Sequence, residues 1–189
     1  MIPYLYSLDT GIFRWINGGW SDPVLDKVFI FFTEPKFFFP LIAAVLAGLF
    51  LKGGRNGRFL ILALLLSVGL GDSTSNGLKH LVKRQRPCVA LPNVLTPYGP
   101  KASYSFPSNH AVNIAGLALV LGLAYRRFAW FFAAWALMVG LSRVYLGVHY
   151  PSDVLGGYAW GLLAGWAAWT LSRKCREVWE SKHPPERHS

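Results

Sequence analysis

The chain is poor in cysteine and poor in acid, and over long stretches it has no charge at all. Its two cysteines, Cys88 and Cys175, are too few for a disulfide framework. No Cys/His spacing resembles a zinc site. Nine acidic residues face nineteen Lys and Arg, a formal net charge of +10. Charge is absent from Phe37–Leu51, Phe59–Gly71, Ala111–Tyr125, Phe128–Ser142 and Val154–Ser172. A soluble all-α bundle would carry polar residues at helical spacing in such runs, and these carry almost none.

What fills the chain instead is apolar bulk, 53% hydrophobic and 15% aromatic residues. Each run extends at its ends toward the roughly 20 residues a helix needs to cross a bilayer. The expectation is an all-α, polytopic helical membrane protein with five to six transmembrane helices plus an N-terminal amphipathic helix. Residues 1–189 form a single domain. A sixth, bent span would join Val28–Phe32 to Phe37–Leu51 through Pro35. The N-terminus does not read as a secretory signal, because Asp9 and Arg14 fall where the apolar core of a signal belongs. Residues 1–27 read as an interfacial segment: Leu5, Leu8, Ile12, Trp15 and Ile16 share a stripe that Gly18-Gly19 ends.

Basic residues in such a chain report topology and lipid headgroups before nucleic acid, and no nucleic-acid partner is expected. On five spans the Lys and Arg divide almost evenly between the two sides. Setting Lys79, Arg86 and Arg143 aside as functional, the clusters "KGGRNGR", "RR" and "RKCR" mark the cytoplasmic side, with 173–189 as a basic cytoplasmic tail. The 79–106 and 143–153 segments then face outward. Cys88 lies outside and Cys175 inside, so they cannot pair within one chain.

Three polar islands fall on that outer face: "KHLVKRQRPC", "FPSNH" and "SRVYLGVHYPSD". Lys79 and Arg86 are cations near a helix end that Pro87 terminates. With Pro107 in the first turn of the next helix, Ser108 offers a hydroxyl, and Ser108 and Asn109 offer free N–H groups to an anion. His110 stands in that first turn. Arg143 supplies a guanidinium able to grip phosphate oxygens in pairs. His149 and Asp153 are spaced for a carboxylate to hold an imidazole nitrogen. Lys83 and Arg84 read as a solvated basic loop. Asp72 shares a helical face with Ser75 and Lys79. Two readings stay open for it: facing the site, or hydrogen bonding inside the bundle. Taken together, the islands describe a phosphate site with an acid and a nucleophile.

The same residues give the chain a resemblance. Lys79-x6-Arg86-Pro87, Pro107-Ser108-Asn109-His110 and Ser142-Arg143-x5-His149-x3-Asp153 resemble the three motifs of the type 2 phosphatidic acid phosphatase superfamily. That superfamily includes membrane lipid phosphatases, bacterial acid phosphatases and vanadium haloperoxidases. The resemblance covers about residues 60–172, the catalytic core. It implies His149 as a nucleophile forming a phosphohistidine, Asp153 fixing its tautomer, and His110 as general acid and then base. Lys79, Arg86, Ser108, the Asn109 backbone and Arg143 are implied to bind phosphate oxygens, doing the work of a metal, so no metal and no other cofactor is expected. Ser142 and Asp72 would stand behind them. Asn109 replaces the usual Gly; it is tolerated if only its backbone N–H meets phosphate.

The implied activity is hydrolysis of a lipid phosphate monoester or pyrophosphate at the periplasmic face of a bacterial inner membrane. The alternative is lipid-to-lipid phosphotransfer through the same phosphohistidine. Candidate substrates implied by the family are undecaprenyl pyrophosphate, phosphatidylglycerol phosphate, phosphatidic acid and the 1-phosphate of lipid A, with no protein partner. The N-terminus and segment 88–105 are the expected selectors among them.

Overall fold

The computed structural model describes residues 2–183; Arg187, part of the expected basic tail, lies outside them. Among the described residues the regular structure is helical throughout. The helices are α1 Ile2–Gly19, α2 Pro23–Thr33, α3 Phe39–Lys52, α4 Gly54–Val82, α5 Pro87–Ala90, α6 Asn109–Ala124, α7 Ala129–Tyr145 and α8 Pro151–Lys182. Short 3-10 turns lie at Pro35–Phe37 and Arg126–Phe128, so the expected bend at Pro35 separates α2 from α3. The proline has no N–H to continue a helix and restricts the residue before it.

α4, α6 and α8 make the centre of the bundle. α7 packs against α6, α3 lies on α4, and α1 and α2 pack against α7. One apolar cluster, with Phe13, Phe29, Ala111, Tyr145, Leu146 and Tyr150, underlies the end where the polar islands meet. A second, with Leu60, Ala63, Leu64 and Val120, fills the other end. The central helices approach closely because α8 is cut back to glycine at the contact. A Cβ on Gly161 would stand 2.1 Å from the Val112 carbonyl oxygen, and one on Gly165 would stand 2.7 Å from that of Gly116. Small residues at such spacing let helix backbones pack where lipid offers no hydrophobic drive.

The surface inverts the arrangement of a water-soluble protein. Trp130 (72% exposed), Trp166 (62%) and Leu65 (61%) point outward, while Arg143 (2%) and Asp153 (0%) are buried. Gly54–Ala90 and Arg126–Tyr145 are long and apolar enough to cross a membrane; Phe39–Lys52 and Asn109–Ala124 are apolar but shorter.

Several local expectations are corrected. α4 ends at Lys83, which takes a left-handed conformation (φ 51) and whose N–H bonds the Lys79 carbonyl. It therefore stops before Pro87, which opens α5 instead. Pro107 precedes the N-cap Ser108 and is not in the first turn of α6. α8 continues through the basic stretch to Lys182, where i,i+4 pairs Arg173–Glu177 and Arg176–Glu180 support it. On α1 the stripe divides: Leu5, Leu8, Ile12 and Trp15 are exposed, but Ile16 is buried with Phe13 against the bundle.

Gly161→Ala is expected to lower stability by about 1–3 kcal/mol through overpacking. Gly48→Ala, where a Cβ meets nothing within 4 Å, should leave it unchanged. Thermal unfolding in detergent compares the two.

Candidate active site

The three islands meet at one end of the bundle, and backbone carbonyls hold two of their cations, Lys79 and Arg86, in place. Lys79 donates to the carbonyls of Tyr104 (3.0 Å) and Pro107 (2.7 Å). Arg86 donates through Nε to the Ser103 carbonyl (2.6 Å) and through Nη1 to that of Val148 (2.8 Å). Its Nη2 donates to Ser103 Oγ at 2.9 Å. Arg143, on the last turn of α7, donates to Thr33 Oγ1 at 2.8 Å, and its Nε has no partner among the described residues. Segment 88–105, read as a selector, thus also supplies the carbonyls that orient two of the three motif cations.

His149 follows a turn at Gly147, whose φ of +75 is left-handed and where a Cβ would stand 2.3 Å from the Leu95 carbonyl oxygen. Glycine is required there on both counts. His149 Nε2 lies 2.9 Å from Arg86 Nη1. A guanidinium only donates, so Nε2 is the acceptor and the ring proton sits on Nδ1. Nδ1 faces Asp153 Oδ2 at 3.6 Å, an ion-pair distance too long for a hydrogen bond, and it has no hydrogen-bond partner among the described residues. Burial, joined by Arg86 and Arg143 and opposed by Asp153, holds the His149 pKa down to about 3. Its imidazole is therefore neutral at neutral pH.

Asp153 is satisfied from four directions. Oδ2 accepts from Tyr150 N–H (2.9 Å), closing the capping box of α8, and from Ser105 Oγ (2.5 Å). Oδ1 accepts from Arg84 Nη1 at 2.8 Å. Its backbone carbonyl takes the Ser108 N–H at 3.1 Å. That last bond corrects an expectation: the Ser108 N–H is spent. The first bond within α6 runs from Val112 N–H to the Ser108 carbonyl (2.9 Å), leaving the N–H groups of Asn109, His110 and Ala111 ahead of it. Ser108 Oγ is buried and has no partner among the described residues.

Arg84 corrects a second expectation, because it is not part of a solvated loop, whereas Lys83 beside it is exposed. Arg84 bridges Asp153 and Asp9 of α1 (2.6 Å), donates to Ser152 Oγ (2.6 Å) and lies over the Tyr150 ring. Burial opposes its charge, but Asp153 and Asp9 outweigh burial and raise its pKa above the ordinary arginine value. Asp72 accepts from Asn113 (3.0 Å) and Asn109 (3.3 Å), so it faces α6 beside the site. Asn109 lies in ordinary helix, and among the described residues only Lys83 and Asn93 have positive φ outside glycine. Its backbone does not need an unusual conformation. Ser142 is buried and its hydroxyl donates to the Val139 carbonyl at 2.6 Å, one turn back in α7.

Arg84, Asp9, Ser105 and Thr33 were not legible as site residues. Asp9 alone left a signal: it lies i−4 and i−7 from Phe13 and Ile16, a carboxylate on the inward face of an amphipathic helix.

The model for the PAP2 superfamily matches residues 60–177. A lipid A 4'-phosphatase of Bacteroides thetaiotaomicron is 30% identical over 97% of this chain and 85% of its own. An undecaprenyl-diphosphatase of Bacillus subtilis is 30% identical over 85% of this chain and 82% of its own. The crystal structure of a transmembrane PAP2-type phosphatidylglycerolphosphate phosphatase from Bacillus subtilis superposes with a TM-score of 0.70. It shares 28% identity, with 97% of this chain and 90% of that one covered.

The His149 pKa fixes a sign. The unfolded imidazole takes a proton near the usual 6.5, and the folded one refuses it until about 3. The folded state therefore loses stability as pH falls below about 6.5. Unfolding midpoints between pH 7.5 and 5 (chosen around that value, ~6.5) should fall less steeply in His149→Gln than in the wild type.

Proposed function

Because the chain belongs to the PAP2 superfamily, we propose that it is a membrane-embedded lipid phosphatase. It hydrolyses a phosphate monoester or pyrophosphate of a lipid through a phosphohistidine at His149. The observation that carries this reading is the state of that imidazole: buried, neutral, its Nδ1–H turned to Asp153 and its Nε2 lone pair turned to Arg86. A base kept unprotonated beside two cations is poised to attack an anion those cations have drawn in.

In the proposed sequence, phosphate oxygens take the free N–H of Arg143, the Ser108 hydroxyl and the α6 N-terminal N–H groups. Arg86 turns from Nε2 to a phosphate oxygen. The freed Nε2 lone pair attacks phosphorus, and the P–O bond to the lipid breaks. His110 gives its proton to the departing oxygen. The phosphoimidazole carries positive charge, which Asp153 balances. His110 then removes a proton from water, whose oxygen attacks phosphorus and returns the P–N electrons to Nε2. Lys79, Arg86 and Arg143 stabilise the equatorial charge in both halves, and the reaction is proposed to need no metal because these cations fill that role.

The location follows from helix length. The 16 residues of α6 span about 24 Å, short of the ~30 Å hydrocarbon core. The site at its N-terminus would therefore sit at the boundary where a lipid phosphate lies. α3, α4, α6, α7 and the first part of α8 serve as spans, with α2 entering at the Pro35 bend. The basic clusters support a site on the periplasmic side of a bacterial inner membrane. The substrates of the relatives set the panel: lipid A phosphates, undecaprenyl diphosphate and phosphatidylglycerol phosphate, with phosphatidic acid.

Phosphate release from that panel in detergent or liposomes is the test. His149→Ala should abolish release from every substrate, and retained turnover would contradict the nucleophile. His110→Ala should cost a monoester about 10²–10⁴-fold, the usual worth of a general acid. A pyrophosphate, whose leaving group needs the proton less, should lose far less; equal losses would count against the acid role.

A further inference from the structure

Asp9 has no part in the chemistry just described, yet it is the acid on the inward face of α1 and only 8% exposed. Its carboxylate accepts from Arg84 Nη2 (2.6 Å), from the Ser152 N–H (2.9 Å) and from Ser152 Oγ (2.5 Å). The other nitrogen of the same guanidinium binds Asp153 Oδ1 at 2.8 Å, and Asp153 faces His149. One cation is thus shared between two carboxylates, one from the N-terminal helix and one behind the nucleophile.

We propose that Asp9 is a positioning residue for His149, acting through Arg84 to leave Asp153 with negative charge for the imidazole. The proposal rests on the phosphohistidine reading above. Arg84 paired with Asp153 alone would form a neutral pair, and the charge facing His149 would be largely cancelled. Asp9 draws part of the guanidinium's charge away, so the three groups carry one net negative charge. The ring of phosphorylated His149 carries one positive charge, which the net negative charge of the three groups balances, while the phosphoryl oxygens keep their own negative charge for Arg86 and Arg143. The remaining charged groups that face His149 are Arg86, from the segment before α5, and Arg143 of α7, both cationic; His110 of α6 stands beside them. No acid other than Asp153, backed by Asp9, serves His149 among the described residues. The same geometry makes α1 part of the catalytic apparatus, since its seating against α8 brings Asp9 to Arg84.

A purely structural role predicts something different. Holding Ser152 N–H needs an acceptor oxygen and no charge, so a neutral isostere would do. The comparison is between Asp9→Asn, Asp9→Glu and the double variant Asp9→Asn/Arg84→Gln, each with kcat and KM on the lipid that the wild type hydrolyses. Thermal unfolding in detergent reports folding. Asp9→Asn should lower kcat about tenfold, the worth of one pKa unit of charge stabilisation, with KM unchanged within about twofold. Asp9→Glu should keep most of kcat. Adding Arg84→Gln to Asp9→Asn should recover part of the loss, because it unmasks Asp153. Wild-type kcat in Asp9→Asn, an equal loss in Asp9→Glu, or a double variant no better than Asp9→Asn would each overturn the proposal. Should Asp9→Asn not fold, Asp9→Gln against Asp9→Glu makes the same comparison of charge at fixed length. A wild type that releases phosphate from none of the lipids overturns the phosphatase reading and this one together. An active wild type with an unaffected Asp9→Asn overturns this one alone.

Discussion

Arg84, Ser105, the Tyr150 N–H and His149 converge on the carboxylate of Asp153. Burying an ion fully costs several kcal/mol unless its lone pairs are met, and Asp153 is wholly buried. The chain meets the cost with one local donor, Tyr150, and two distant ones, Arg84 and Ser105. Tyr150 N–H comes from the start of α8, Ser105 from the segment between α5 and α6, Arg84 from just past α4, and Ser108 N–H fastens α6 to the Asp153 carbonyl. Removing any of these leaves a buried charge or a buried donor short of a partner. The constraint therefore fixes where α4, α6 and α8 end relative to one another, and with them the positions of Lys79, Ser108 and His149.

The rest of the architecture supports that one end. Glycines on α8 let α6 approach until backbone meets backbone, which sets the depth of the α6 N-terminus. Phe13, Phe29 and Tyr145 floor the site with a rigid apolar cluster. Asn17 of α1 donates to both the Leu95 and Tyr145 carbonyls (2.8 and 2.7 Å), tying the segment between α5 and α6 to the end of α7. Preorganisation of this kind matters because catalysis by fixed cations and dipoles depends on their not having to move as charge develops.

Much of this was legible in the sequence because motif chemistry and hydropathy are local. Uncharged runs marked the helices, and the spacing of Lys79 with Arg86, and of His149 with Asp153, carried the family resemblance. What stayed hidden was long-range. Arg84 sits in a run of basic residues, and such runs are usually solvated; its partners Asp9 and Asp153 lie 75 and 69 residues away. Ser105 is one serine in a polar segment, with nothing nearby to single it out. The Ser108 N–H looked free because helix N-termini usually are, and only the packing of α8 shows it taken. The end of α4 was misjudged by crediting Pro87, when Lys83 had already left helical φ. α8 outran its expected end because charged residues at i,i+4 spacing continue a helix as readily as apolar ones.

In the proposed reaction the His149 nitrogen bonds to phosphorus. Rapid quenching of the enzyme during turnover of a lipid carrying radiolabelled phosphate tests it directly. The expected result is protein-bound label that is stable to alkali and labile to acid, located by peptide mapping on the segment holding His149. Label stable to acid on the Ser108 segment, or no bound label at any time under active turnover, would contradict it.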